Sequence, residues 1–344
     1  MKALVKTRKG EGFIEIQEVP MPDYSANEVL IEVKAAGICG TDIHIYHDEH
    51  PYWPPAIMGH EFSGKIVKIG RNVKQWEKGD RVVGEPHTKA CGICYLCRTG
   101  NIQICPHKRS IGWGIDGAFT NYLKMPSHLL HKIPEGLSYE EAALTEPTAV
   151  AVNSVLLTAK VEPGDIVVVE GSGPIGLLSA MAARAAGAGK VVITGIDRDE
   201  KVRLKTARLL GFEEVVNVDK ENIVEKVLHL TQGRGADLVV EASGAEDSIN
   251  KSIQITRRLG RIVILGITRK KQIRVNWNDA IFKGLNVKFS FSTTYPSWRR
   301  ALSLIAKGFI KVSPLITHKV NLEEWEKTFN DLEEGKGIKG LFIF

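Results

Sequence analysis

The sequence predicts an α/β protein: a doubly wound parallel sheet in the second half, set beside a β-rich, barrel-like antiparallel first half. Three observations predict it. Strand-like and helix-like runs alternate regularly after residue 150. A glycine-rich turn, VVVEGSGPIG, joins the first of those strands to the first of those helices. Before residue 150 the apolar runs are short, alternate with polar residues, and are broken by Gly and Pro.

The elements follow in order. EVLIEVKAAG, FSGKIVKIG and DRVVGEP read as strands of the first half. IVVVEG (166–171) is a buried strand, and PIGLLSAMAARAAG (174–187) is a helix whose small residues allow close packing. VVITG (191–195) is the next strand, followed by the helical pattern EKVRLKTARLLG (200–211). EVVNV, VEKVLHL, DLVVEASG, INKSIQI and RIVILG continue the alternation of strand and helix. From about Ser297 the chain returns to mixed helix and strand and closes with GLFIF. The expected division is therefore 1–150, 151–293 and 294–344.

Composition narrows the function. The 344 residues suffice for two ordinary domains, and 43% hydrophobic with 25% charged residues suits a soluble globular chain. The excess of 46 basic over 40 acidic residues is small and forms no dense block, which argues against nucleic acid as a partner. MKALVKTRKG lacks a signal peptide's apolar core, and Arg184 interrupts LLSAMAARAAGAG, the most membrane-like stretch. Clustered thiols without an export signal favour metal over disulfides, so a reducing, cytoplasmic setting is expected.

Four of the five cysteines, Cys91, Cys94, Cys97 and Cys105, are spaced C-x2-C-x2-C-x7-C. Four thiolates this close can surround one tetrahedral zinc at about 2.3 Å each, leaving no open position: a structural site. Gly92 and Gly100 supply turns in a segment too polar to order itself by packing.

The loop Gly171-Ser172-Gly173-Pro174-Ile175-Gly176 follows an apolar strand and opens a helix, the setting that a dinucleotide loop requires. Gly171 permits the tight turn, Gly173 lets the backbone approach a pyrophosphate, and Gly176 lets helix and strand pack closely. Pro174 and Ile175 begin the helix, whose free N–H groups face the phosphates. An acidic residue should end the second strand and grip the ribose. Gly195 stands there instead, and Asp197 and Arg198 follow. Asp197 can select NAD through the ribose hydroxyls; alternatively Gly195 leaves room for a 2′-phosphate that Arg198 pairs, selecting NADP. The expectation is NAD, with Asp197 as the ribose partner.

Catalytic candidates lie apart in sequence. Cys39 sits between Gly37 and Gly40, beside Thr41 and Asp42, an unusual neighbourhood for a packed thiol. His60 and Glu61 follow Gly59 at a strand entrance. Glu146-Pro147 interrupts the apolar stretch AALTEPTAVAV, where an unpaired carboxylate is costly. Sulfur, imidazole and carboxylate ligands together can leave a coordination position open for chemistry.

GICGTDIHIY, GHEFSGKIVKIG, the GDRV at 79–82, CGICYLCRTGNIQIC, DGAFTNY, Glu146-Pro147 and GSGPIGLL together resemble the medium-chain zinc-dependent alcohol dehydrogenases along essentially the whole chain. The resemblance implies a GroES-like catalytic domain, discontinuous in sequence, wrapped around an inserted Rossmann domain. It also implies homo-oligomers, usually tetramers or dimers. Within the family the chain is similar to the polyol (sorbitol-like) and threonine dehydrogenases, which places Cys39, His60, Glu61 and Glu146 around a catalytic zinc. Two zinc ions per subunit follow. Thr148-Ala149-Val150 stands where the threonine branch has Gly-Asn, and HDEHPYW is altered too, which favours a polyol over L-threonine.

The mechanism implied is Lewis-acid activation of a substrate hydroxyl and hydride transfer to the nicotinamide. Thr41 can hydrogen-bond the hydroxyl, and His44 can pass its proton to solvent through the cofactor ribose. Thr41, His44, Tyr46, Glu146 and His87 are the expected polar groups of the pocket, whereas His47, His50 and His107 are expected to face solvent. Two readings from other classes are a zinc-ribbon module that grips nucleic acid and a non-catalytic nicotinamide sensor. The missing basic stripe weighs against the first, and the presence of Cys39, Thr41 and His60 against the second.

Overall fold

The computed structural model describes residues 1–344. Its parallel sheet has six strands: β1 (Ile166–Glu170), β2 (Lys190–Gly195), β3 (Glu214–Asn217), β4 (Ala236–Glu241), β5 (Thr256–Ile264) and β6 (Asn286–Phe289). They run in the order β3-β2-β1-β4-β5-β6, the doubly wound order of a Rossmann domain. The central strands carry unbroken apolar runs, Val167–Val169 and Leu238–Val240, because helices cover both faces. Such sheets bind ligands at the carboxyl ends of their strands. Here those ends carry Glu170, Gly195 and Glu241.

The second sheet joins the two ends of the chain. Glu28–Gly37 pairs antiparallel with Glu61–Ile69 and Tyr122–Pro126, and the sheet continues through Arg81–Gly84 to Leu130–Lys132. On the other side of Glu28–Gly37 the last strand, Lys339–Ile343, pairs antiparallel with Leu341 opposite Gly37, and Ile316–Val320 forms the edge beyond it. This half is thus discontinuous in sequence, as the resemblance implied. One hydrophobic core crosses both halves: Ala35, Val83 and Leu341 of this sheet share it with Val167 and Val169 of β1 and with Trp298 and Leu302 of the helix Tyr295–Ala306.

Two features differ from simple expectation. The division expected at residue 150 falls inside a continuous helical run, 145–158, which packs against the nucleotide-side helix Pro174–Ala185. Strand β6 was not anticipated. Its residues, NVKF, are all exposed at the sheet edge, so no burial pattern marks them. No helix is long and apolar enough to cross a membrane.

Candidate active site and metal centres

The helix Gly40–Tyr46 begins at Cys39. The buried Asp42 carboxylate accepts the Cys39 backbone N–H at 2.8 Å, which fixes the turn that presents the thiol. His60 and Glu61 arrive from the opposing strand, where Glu61 is the register partner of Gly37. Only glycine fits at position 37, since a Cβ there would strike the Glu61 carboxylate. Ligand atoms of Cys39, His60 and Glu61 consequently lie within 4.8 Å of one another.

The electrostatics of this group suit a cation. Burial opposes a charge on His60, but the Cys39 sulfur, Asp42 and Glu146 outweigh it and lift the imidazole to about 10. Asp42 Oδ1 and His60 Nδ1 are buried without a hydrogen-bond partner, 3.9 Å from each other. A metal ion would engage such polar atoms. Glu146 lines the same cavity as Cys39 and His60 but stands outside their close group. Burial pushes its carboxyl up to about 7, with His60 pulling the other way and Glu61 adding to the rise. Glu61 has a partner that sequence reading missed: Lys339, from the last strand, donates to it at 2.6 Å, both side chains being almost wholly buried.

The cysteine lobe passes a similar test. Three sulfur pairs, Cys91–Cys105, Cys91–Cys97 and Cys94–Cys105, lie 3.6, 3.8 and 3.9 Å apart. A tetrahedron with zinc–sulfur bonds of about 2.3 Å has edges of about 3.8 Å. No disulfide forms among them. The lobe leaves Ile93 82% and Tyr95 77% exposed, so packing alone gives it little reason to stay ordered.

The glycine loop has the geometry that its sequence implied. Gly171 adopts φ 110°, open space lies where a Cβ on Gly173 would project, and a Cβ on Gly176 would run into the Gly171 carbonyl. Pro174 and Ile175 open the helix Pro174–Ala185. Beside the loop a cleft of about 760 Å³ runs between Gly40, Ile43 and His44 on one wall and Arg198, Ser243 and Arg269 on the other. The Glu241 carboxylate holds the Ser243–Gly244 turn by accepting both backbone N–H groups, at 2.9 and 3.0 Å. Of the two ribose candidates only Arg198 lines this cleft. Asp197 turns to Asn217 and Lys220, at 2.8 and 3.1 Å.

A smaller cavity of about 180 Å³ adjoins the close group. Cys39, Thr41, His60 and Glu146 line it, while Val150, Ile175, Leu265 and Ile267 make an apolar wall toward the nucleotide side. His44, one turn beyond Thr41, faces the larger cleft and hydrogen-bonds Glu49 at 2.9 Å. Several expected pocket residues are elsewhere. Tyr46 packs edge-on against His47 and near Trp325. His87 is buried, held by Thr293 and pushed down to about 3 by burial. His47 is half-buried between Glu11 and Glu333 rather than free in solvent. His50, also expected outside, lines the cavity, and burial lowers it to about 4. Lys108, Ser110, Trp113, Ser290, Phe291 and Ser292 also line it, and no motif announced them.

Comparison with known proteins agrees with this construction. Residues 25–135 match the alcohol dehydrogenase GroES-like domain, and residues 174–307 match the zinc-binding dehydrogenase domain. A sorbitol dehydrogenase from Halalkalibacterium halodurans is 38% identical over 341 residues, 99% of this chain and 98% of that protein. An L-threonine 3-dehydrogenase from Bacillus licheniformis is 39% identical, with 100% of this chain and 99% of that protein covered. The crystal structure of 2R,3R-butanediol dehydrogenase from Bacillus subtilis superposes with a TM-score of 0.87 at 30% identity, covering 100% and 99% of the two chains. The chain belongs to the zinc-dependent, NAD(P)-dependent medium-chain alcohol dehydrogenases, in their polyol and threonine dehydrogenase branch.

Proposed function

We propose that this dehydrogenase oxidises a secondary alcohol of a small, multiply hydroxylated molecule, a sorbitol-like polyol, to the ketose. The observation that carries the reading is the polar lining of a small cavity at the Cys39–His60 group: Thr41, His50, Ser110, Glu146, Ser290 and Ser292 surround it. A substrate hydroxyl stripped of water without a partner costs about 1–3 kcal/mol, so a cavity so furnished suits a substrate with several hydroxyls. Sorbitol and butanediol dehydrogenases among the relatives support the same class.

Cys39, His60 and Glu61 would hold the catalytic zinc with Glu146 beside it, and the pair of cofactors supplies Lewis acidity and a hydride acceptor. The chain's own residues do the rest. Thr41 holds the proton of the reacting hydroxyl, and His44 sits at the mouth of the larger cleft, where a proton can leave for solvent. The apolar wall of Val150, Ile175 and Leu265 excludes water from the reacting carbon. Arg198, Ser243 and the glycine loop bind and orient the dinucleotide. The exposed edge strand β6, with Phe289 79% exposed, supports assembly of the chain as a homo-oligomer.

A substrate panel, read by absorbance of the reduced nicotinamide with NAD and with NADP, tests the reading. Polyols oxidised at a secondary carbon are expected to exceed simple primary alcohols by at least about tenfold in kcat/KM. Preference for simple primary or long apolar alcohols would overturn it.

A further inference from the structure

The small cavity contains a cation that no protein carboxylate neutralises. Lys108 is only 7% exposed, and its ammonium makes neither an ion pair nor a hydrogen bond within the chain. It stands over two aromatic rings of the lining, 5.4 Å from the centroid of Trp113 and 5.3 Å from that of Phe291. Those rings attract a cation but accept no hydrogen bond of ordinary strength. Glu146 acts on Lys108 only from beyond ion-pair distance. Two residues further on, the Ser110 hydroxyl is buried with no partner. Backbone bonds between Lys89 and Arg109 in both directions keep this segment extended, so Lys108 and Ser110 project to the same side.

Two unpartnered donors, one charged, are costly to bury unless a ligand meets them. Every other buried lysine has a partner: Lys6 donates to the Gly10 carbonyl at 2.6 Å, and Lys339 donates to Glu61. We infer that Lys108 and Ser110 form an oxyanion subsite, so that the alcohol oxidised here carries a phosphate or a carboxylate as well as its reacting hydroxyl. This rests on the reading of the cavity as the site where a secondary alcohol is oxidised, and adds an anionic group to its substrate. The shared chemistry is a compact anion with oxygens for one ammonium and one hydroxyl, in the cavity that Cys39 and His60 also line. Burial depresses the ammonium to about 8, which leaves it mostly protonated at neutral pH.

The test uses the zinc-loaded enzyme with three probes: sorbitol, sorbitol 6-phosphate and L-threonine. Wild type is compared with Lys108→Met, which keeps the stem and removes the charge, and with Lys108→Arg. Wild type should favour the phosphate-bearing or the carboxylate-bearing probe over sorbitol, and which one identifies the anionic group. Lys108→Met should raise KM for that probe with little change in kcat. The preference for anion over sorbitol should then fall by about ten- to a hundredfold, and Lys108→Arg should restore most of it. Calorimetric binding of sorbitol 6-phosphate and of L-threonine gives a readout independent of turnover. Sorbitol favoured by wild type, or equal losses for sorbitol and the anion in Lys108→Met, would overturn the subsite and leave the polyol reading standing. Charge-dependent binding of an anion with no oxidation of either polyol would overturn the polyol reading and leave the subsite.

Discussion

The cysteine lobe draws its four sulfurs from one loop, Cys91 to Cys105. The reaction cavity draws Cys39 from a helix start, His60 and Glu61 from a strand entrance, and Glu146 from a helix beyond the second sheet. The lobe leaves its large apolar side chains in solvent, while His60, Glu61 and Glu146 of the cavity group are buried. A local site of this kind needs only its spacing and its metal. The nonlocal one needs the whole fold, and it carries charges that the fold must balance: Lys339 against Glu61, and Asp42 beside His60. What the comparison teaches is where substitutions should fall on function and where on stability.

The largest effect should come from the cavity. Cys39→Ala should lower kcat/KM by more than about a thousandfold while the thermal midpoint moves little, since a small, part-exposed ligand side chain is removed without opening the core. Kinetics beside a thermal melt check this. Activity within about tenfold of wild type would place the chemistry elsewhere.

Second comes the charge balance. Lys339→Met leaves the Glu61 carboxylate buried without its partner, at an expected cost of about 3–5 kcal/mol. Denaturant unfolding of Lys339→Met, of Glu61→Gln and of the double variant measures the coupling. Additive effects would show that the pair is no unit.

Much of this was legible beforehand. The cysteine spacing defined the lobe, because its ligands are local. The strand–helix alternation and the roles of Gly171, Gly173 and Gly176 were legible because backbone conformation and close approach dictate glycine there. Lys339 was not, being 278 residues from Glu61 in sequence. Lys108 and His50 were missed, and Tyr46 and His87 misplaced, for a related reason. Periodicity tells that a residue is buried but not which void its polar atoms face. Asp197 illustrates the limit at the surface. It has the right residue type near the right spacing, yet Asn217 and Lys220 hold it outside the cleft.

A third, smaller effect concerns Glu170, under the glycine loop. Burial pushes its carboxyl from 4.5 up to about 8, against a hydrogen bond from Ser252. Between those values the folded chain keeps a proton that the unfolded chain has released. Stability contributed by this group therefore falls as pH rises through the window, by at most about 1.4 kcal/mol per pH unit. The thermal midpoint should decline from about pH 5 to about pH 8, and Glu170→Gln should flatten the decline. An unchanged slope in the variant would assign the decline to other groups.

The smallest effect separates the ribose candidates. Arg198→Ala should weaken NADPH binding by up to about tenfold and leave NADH nearly unaffected, whereas Asp197→Ala should change either by less than about threefold. Cofactor fluorescence titration decides it, and a marked loss of NADH affinity in Asp197→Ala would restore that carboxylate as the ribose partner.

The contrast between a closed site and an open one is tested most directly by zinc content during timed chelation, followed together with activity and thermal midpoint. Two zinc ions per chain are expected. The first should leave with the activity and little change in stability, and the second should leave slowly as the midpoint falls. In Cys97→Ser only the slow phase should disappear. A single zinc per chain, or both leaving together with activity and stability lost in one step, would contradict the account.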